Sequence, residues 1–235
     1  MHSWTQKQIA YMHDAIRFSD YYRIIAARIA PYLVPEGTLC DAGCGLGELG
    51  MALLPCCRHV TCIDRDENAI ADLCRRKPEG ITALCGDVEN HCPSEPYDAM
   101  VFCLFGSTRQ ALEIAKVKCR GKVFLIKRNY ATHRFSADAL PIGDYTAENT
   151  ARELTGMGIP FSVESFTADL GQPFHSMAAA REFFATYNRS DRPITDAELK
   201  CRLQKGPSEE FPLFLPHTKQ LQLFTIDAAD ICLSE

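Results

Sequence analysis

Three glycines at alternate positions follow a short apolar run in Thr38-Leu39-Cys40-Asp41-Ala42-Gly43-Cys44-Gly45-Leu46-Gly47-Glu48-Leu49-Gly50. Glycine is needed where the backbone takes a positive φ or comes too close to a ligand for a Cβ. The spacing therefore predicts a strand, a ligand-contacting loop and a helix, placed where open α/β sheets bind nucleotides. Two ligand classes use such a loop. Gly45-x-Gly47-x-x-Gly50 spells the dinucleotide fingerprint, and Asp64, which ends the next apolar run, could hold a ribose of NAD or NADP. Against that reading, Asp41 and Gly43 occupy the end of the strand itself, and an acidic side chain is out of place facing a pyrophosphate. Asp64 also follows Gly50 by only 14 residues.

The elements that must position these residues alternate. Short apolar runs fall at 38–41, 59–63, 81–85, 97–103 and 122–127, with helix-like segments at 47–54, 67–76, 88–91 and 107–116. Asp66 before Glu67 reads as a helix cap, and Ser107-Thr108-Arg109-Gln110 as a capping box. Strands alternating with helices predict βαβ units, hence a parallel sheet with right-handed crossovers. The first 35 residues carry apolar positions at helical spacing, with Ser19-Asp20 as the cap between two helices and Pro35-Glu36-Gly37 as a break. Residues 128–145 read as irregular, 147–156 as a helix, and Phe161–Phe166 and Gln220–Asp227 as half-buried strands. Helices at 176–187 and 195–204 fill the stretch between them, the second opened by the capping box Thr195-Asp196-Ala197-Glu198. No Pro/Gly/Ser-rich linker divides the chain and no internal repeat is visible, so one α/β domain over 1–235 is expected.

Four ordered motifs over residues 38–128 resemble the class I S-adenosylmethionine-dependent methyltransferases. The acidic-x-Gly-x-Gly-x-Gly loop of that family is matched by Asp41 to Gly47, and its acidic end of the second strand by Asp64 in Val60-Thr61-Cys62-Ile63-Asp64. Its Gly-Asp-hydrophobic step is matched by Cys85-Gly86-Asp87-Val88, and its Asp-led fourth strand by Tyr97-Asp98-Ala99-Met100-Val101-Phe102. The resemblance implies a Rossmann-like, mostly parallel seven-stranded sheet with helices on both faces, an antiparallel last strand and a helical N-terminal arm. It implies S-adenosylmethionine as cofactor and S-adenosylhomocysteine as product. Asp41, Gly43, Gly45 and Gly47 would meet the methionine part, Asp64 and Arg65 the ribose, Asp87 and Val88 the adenine, and Phe102 and Cys103 the end of the fourth strand. Residues 1–35 would form an arm or lid, 38–128 the cofactor core, and 172–216 a helical insertion before the last strand.

The acceptor is less visible. The fourth strand runs into Cys103-Leu104-Phe105-Gly106-Ser107, not into the Asn/Asp-Pro-Pro-Tyr step of many enzymes that methylate planar exocyclic nitrogens. This favours a small-molecule acceptor. Tyr11, His13, Asp14, Tyr21 and Tyr22 of the arm are candidates to line its site. His13, Tyr21, His133 and His175 are the candidate catalytic groups, a histidine being able to act as base near neutral pH. Cys103 would need a lowered pKa to act as a nucleophile, and no partner for it is visible. An NAD(P)-binding oxidoreductase and a non-catalytic cofactor-binding protein of the same fold are the alternatives.

Composition narrows the classes further. The chain has 235 residues, 30 acidic and 25 basic, for a net charge of −5, and its longest basic run is Arg75-Arg76-Lys77. That disfavours general affinity for nucleic acid, which needs a basic face. The longest apolar stretch, Ala99 to Gly106, is far short of a membrane span, and Met1 to Gln6 lacks the blocks of a signal peptide, so a cytoplasmic protein is expected. Twelve cysteines occur with no Cys-x-x-Cys pair, so no metal site is expected and several of them read as small buried hydrophobes.

Overall fold

A computed structural model describes residues 3–76, 78–143 and 145–233. The arm comes first. Helix α1 (Gln6–Ile16) opens with a capping box, in which Thr5 Oγ1 accepts from Gln8 N at 3.2 Å and Gln8 Oε1 accepts from Thr5 N at 2.9 Å. Helix α2 (Tyr21–Ile29) buries Tyr21, Ile25 and Ile29 at helical spacing, so the arm is part of the core. Its start differs from expectation. Asp20 gives no cap, because its carboxylate pairs with Arg23, and Ser19 Oγ accepts from Tyr21 N instead.

The alternating stretch then unrolls as β1 (Thr38–Ala42), α3 (Glu48–Leu53), β2 (His59–Asp64), α4 (Glu67–Arg76), β3 (Ile81–Cys85), β4 (Tyr97–Cys103), α5 (Thr108–Lys118) and β5 (Cys119–Arg128). No helix forms at 88–91. Asn90 N and His91 N both close on Asp87 O in one turn, and Pro93 and Pro96 then end any helical continuation. At α5 only half of the capping box forms, since Ser107 Oγ accepts from Gln110 N while the Gln110 side chain donates to Glu89.

After an irregular segment come α6 (Ala147–Gly156), β6 (Ser162–Asp169), β7 (Gln172–Phe174), α7 (Met177–Tyr187), α8 (Asp196–Arg202), β8 (Gln204–Lys205), β9 (Leu213–Leu215) and β10 (Thr218–Asp227). The main sheet has the order β3-β2-β1-β4-β5-β10-β6, parallel from β3 to β5, with β10 antiparallel to both of its neighbours. Side chains alternate across it. Leu39, Val60, Val101 and Phe124 face one apolar layer with α2 and α3, while Cys40, Ile63, Phe102 and Leu125 face the other with α5 and α6.

The segment 172–216 is not purely helical. It also forms a small antiparallel sheet of order β7-β9-β8. Strands of two and three residues are too short to show alternation, and Pro173, Pro212 and Pro216 lie in or beside them. Phe174, Phe183, Phe184, Leu199 and Leu215 make a separate apolar cluster there, and Tyr11 of α1 belongs to it. Among the described residues no helix is long and apolar enough to cross a membrane.

Candidate functional site

The carboxyl ends of β1, β2 and β3 are level, because Ala42 pairs with Ile63 and Asp64 with Cys85. The strand order reverses at β1 and β4, and the crevice outside such a switch point is where open α/β sheets hold ligands. A cleft of about 670 Å³ opens there, lined by Gly43, Gly45, Asp64, Arg65, Gly86, Val88 and Cys103 together with Trp4 of the arm.

Gly43, Gly45 and Gly47 take φ of +68°, +54° and +75°, so the loop needs glycine at each. A Cβ on Gly43 would overlap the ring of Phe105. The amides of the loop's glycines are already used. Gly43 N and Cys44 N donate to Ile63 O at 2.8 and 3.1 Å, and Gly47 N donates to Cys44 O at 2.9 Å. Gly45 N donates to Asp64 Oδ2 at 2.8 Å and Gly50 N to Asp41 Oδ2 at 3.0 Å. These glycine amides are therefore not offered to a pyrophosphate. Two strand carboxylates, Asp41 of β1 and Asp64 of β2, stand beside the loop instead.

Asp41 is 1% exposed, and burial pushes its carboxyl up to about 7, with the Gly50 N–H opposing the shift and the Asp64 charge adding to it. It lines a second cavity of about 170 Å³ with Tyr21, Tyr22, Cys44, Cys103 and Lys219. Asp64 accepts from Gly45 N and, through Oδ1, from Asp66 N at 2.9 Å. A carboxylate has about four lone-pair sites, so two remain for a ligand. Asp87 does not line the cleft; it pairs with Arg65, which does, and accepts from Glu89 N at 3.0 Å, beside the buried Val88.

Leu104, immediately after β4, lines both cavities and holds φ of +55°. A non-glycine residue there costs on the order of 1–3 kcal/mol and is found where the surroundings impose it. Lys127, 1% exposed, supplies part of that constraint, its ammonium donating to Gly106 O at 2.8 Å. Cys103 is no nucleophile. Burial and the neighbouring Asp41 push its thiol up to about 12.

A third cavity, of about 220 Å³, lies beyond Leu104 and Lys219, which line it too. Its lining includes Tyr11 and Met12 of the arm, Arg128 at the end of β5, His133, Arg134 and Phe135 of the irregular segment, and Phe183, Arg189 and His217. His133 is on its wall, with Nδ1 bonded to Ser136 Oγ at 2.9 Å; burial and then Arg189 and Arg128 hold the imidazole below its usual value.

The residues singled out from sequence thus divide. Gly43, Gly45, Asp64, Arg65, Val88 and Cys103 line the large cleft, Asp41 and Tyr21 the second cavity, and His133 the third. Gly47 caps α3 and packs against Leu73. Phe102 points away from the cleft into the core layer with α5 and α6, because adjacent strand residues face opposite sides. His13 Nε2 bonds to Asp72 Oδ2 at 2.9 Å, and His175, bonded to Glu210 O, stacks on Phe211; neither lines the three cavities. Trp4, Leu104, Arg128, His217 and Lys219 were not anticipated. Nothing in their local sequence marks them, since distant segments bring them together.

No protein-family model and no curated protein sequence matches the chain. Solved structures do match in fold. The YcgJ protein of Bacillus subtilis is 11% identical, with 86% of this chain and 97% of that one covered at a TM-score of 0.52. A Bacillus halodurans C-125 protein provisionally assigned as a methyltransferase is 12% identical, with 88% and 98% covered at 0.54. A protein solved in work on converting a disulfide into a thioacetal in echinomycin biosynthesis is 16% identical, with 89% and 82% covered at 0.51. Taken with the strand order, the antiparallel β10 and the glycine loop after β1, these likenesses show that the chain has the fold of the class I S-adenosylmethionine-dependent methyltransferases.

Proposed function

We propose that this protein transfers a methyl group from S-adenosylmethionine to a small-molecule acceptor. One observation carries the reading over a dinucleotide. The glycine amides that would cradle a pyrophosphate are bonded within the protein, and Asp41 and Asp64 stand where its charge would lie. Carboxylates suit a ligand with a cationic ammonium and sulfonium and an uncharged ribose. Asp64 would hold the ribose hydroxyls with its two remaining lone-pair sites, Val88 and Asp87 would meet the adenine, and Asp41 would face the methionine end.

When bound, the cofactor supplies a methyl carbon activated by the sulfonium; the acceptor's lone pair forms the new bond to it as the C–S bond breaks, its electrons staying on sulfur. The chain's own residues then have two tasks. Leu104, with Met12 and Lys219, borders both the second and the third cavity and would orient the in-line approach, which is where positioning contributes most. His133, held neutral at neutral pH, takes the proton of a hydroxyl or amine acceptor. Residues 1–35 and 172–216 act together as a lid over one domain, because Trp4 closes the cleft and Tyr11 meets Phe183 edge-on at 5.1 Å between ring centroids. Shielding of this kind excludes water from the reacting atoms.

Titration calorimetry with S-adenosylhomocysteine, NAD and NADP tests the reading. Binding of S-adenosylhomocysteine and not of the nicotinamide cofactors is expected. Binding of NAD or NADP without S-adenosylhomocysteine would sink it and favour the oxidoreductase.

A further inference from the structure

The third cavity is unusual in its charge. Arg128, Arg189 and Lys219 line it, and no described carboxylate lines it with them. None of the three forms an ion pair with a described carboxylate, whereas most other arginines of the chain do. Arg134 adds a fourth cation at the same wall, its guanidinium donating to Pro216 O at 2.7 Å. Like charges gathered at one cavity repel, a cost that a ligand of opposite sign relieves.

Two buried polar atoms on the same wall point to a ligand independently. Tyr11 Oη and His217 Nδ1 have no hydrogen-bond partner among the described residues, although their residues are only 8% and 7% exposed. Leaving such a group unsatisfied costs about 1–3 kcal/mol. A phenol and a neutral imidazole can both donate, and an oxyanion accepts several such bonds at once.

The apolar part of the cavity sets the rest of the ligand. Phe135 meets Phe183 edge-on at 5.2 Å, and Tyr11 meets Phe183 at 5.1 Å, leaving ring faces and edges against the space. Its volume of about 220 Å³ lies below the roughly 300 Å³ at which pockets for drug-sized ligands begin. Asp41 lines only the second cavity and the guanidinium groups only the third, while Lys219 borders both.

Resting on the methyl-transfer reading, we propose that the acceptor is a small ring-bearing oxyanion, a carboxylate or a phosphate, held by Arg128 and Arg189 with its ring against Tyr11, Phe135 and Phe183. Its negative charge complements the cation of the proposed cofactor. Lys219 borders both cavities and is left out of the test for that reason.

Benzoate, phenyl phosphate and the uncharged benzamide are titrated by calorimetry into the full chain, alone and saturated with S-adenosylhomocysteine. At least one oxyanion is expected to bind at least tenfold more tightly than benzamide, and the preferred one identifies carboxylate or phosphate as the group held. Arg189→Met, at an exposed position, should fold as the parent does and weaken that oxyanion about tenfold, with S-adenosylhomocysteine affinity kept. Equal binding of benzamide and both oxyanions, no binding of any probe, or an unaffected Arg189→Met would overturn the proposal. Failure of S-adenosylhomocysteine to bind would overturn the methyl-transfer reading instead, and the titration of the protein alone would still report on the oxyanion.

Discussion

The ammonium of Lys127 lies 2.8 Å from Gly106 O and fastens the loop in which Leu104 keeps its left-handed backbone. Burial lowers this lysine to about 8, so its retention needs the carbonyls it serves. Lys127→Met keeps the length and removes the donor, leaving Gly106 O and Phe105 O without it. A loss of about 1–3 kcal/mol in urea unfolding is expected. The loop walls the cleft, so affinity for S-adenosylhomocysteine should fall as well. Stability lost with affinity unchanged would show that Leu104 does not shape the cleft.

Asp64 serves the loop before any ligand arrives. Asp64→Ala removes the acceptor for Gly45 N and for Asp66 N, so both stability and affinity should drop. About 2–4 kcal/mol of binding, or roughly 30- to 1,000-fold, is expected to go. Asp64→Asn keeps one acceptor oxygen and should recover most of the stability and little of the affinity. Calorimetry beside thermal unfolding separates the two; full recovery of both in Asp64→Asn would leave Asp64 a loop support only.

Asp41 should make binding of the proposed cofactor depend on pH. Its folded pKa of about 7 stands above the 3.8 of an ordinary aspartate. The folded state therefore binds more protons between those values, and the group's contribution to stability falls as pH rises through that window. A cationic ligand favours the ionised form, so affinity for S-adenosylmethionine should rise from pH 5, by at most about tenfold per unit, and level off above about 7. Asp41→Asn should abolish that slope. A flat profile in the parent would place the ligand's cation away from Asp41.

Gly50 is fixed by packing and not by backbone angle. A Cβ there would stand 2.5 Å from Cys62 Sγ on β2. Alanine gains about 0.5–1 kcal/mol of helix preference, but overpacking costs about 1–3 kcal/mol. Gly50→Ala should therefore destabilise, and adding Cys62→Ala should recover most of the loss. Additive effects in that double-mutant cycle would show that the two positions do not meet.

Trp4 is the only tryptophan of the chain and lies 3.5 Å from where a Cβ on Gly45 would be. Its fluorescence should change on S-adenosylhomocysteine binding. Trp4→Phe should keep most of the affinity, and Trp4→Ala should lose about tenfold of it, about 1.4 kcal/mol. Fluorescence unmoved by a ligand that calorimetry detects would remove the arm from the cleft.

The lining of the two cavities at the strand ends was legible in part, because a glycine or an aspartate follows an apolar run there. Asp41, Gly43, Asp64 and Val88 all have that local signature. Phe102 shows the limit of the method, since a strand places neighbours on opposite faces and Cys103 took the cleft side. The third cavity had no local signature at all. Tyr11, Arg128, Phe183 and Lys219 come from four elements far apart in sequence, and only their docking makes the wall. Leu104 was invisible for another reason: leucine gives no hint of a positive φ, which the Lys127 anchor and the turn after β4 impose. The arm was read as a cover, yet α2 is also core. A deletion of residues 1–30 would remove Tyr21, Ile25 and Ile29 and unfold the chain, so any trimming has to stop before α2.

The edge-on pair of Tyr11 and Phe183 has a kinetic consequence. It joins the first helix to the insertion at the wall of the third cavity, helped by the ion pair of Lys7 with Glu182 on the same helices. Release of the proposed acceptor would wait on that pair parting, and such opening steps commonly run in microseconds to milliseconds. Residence time, and with it the ceiling on turnover, would then be set by how often two rings separate.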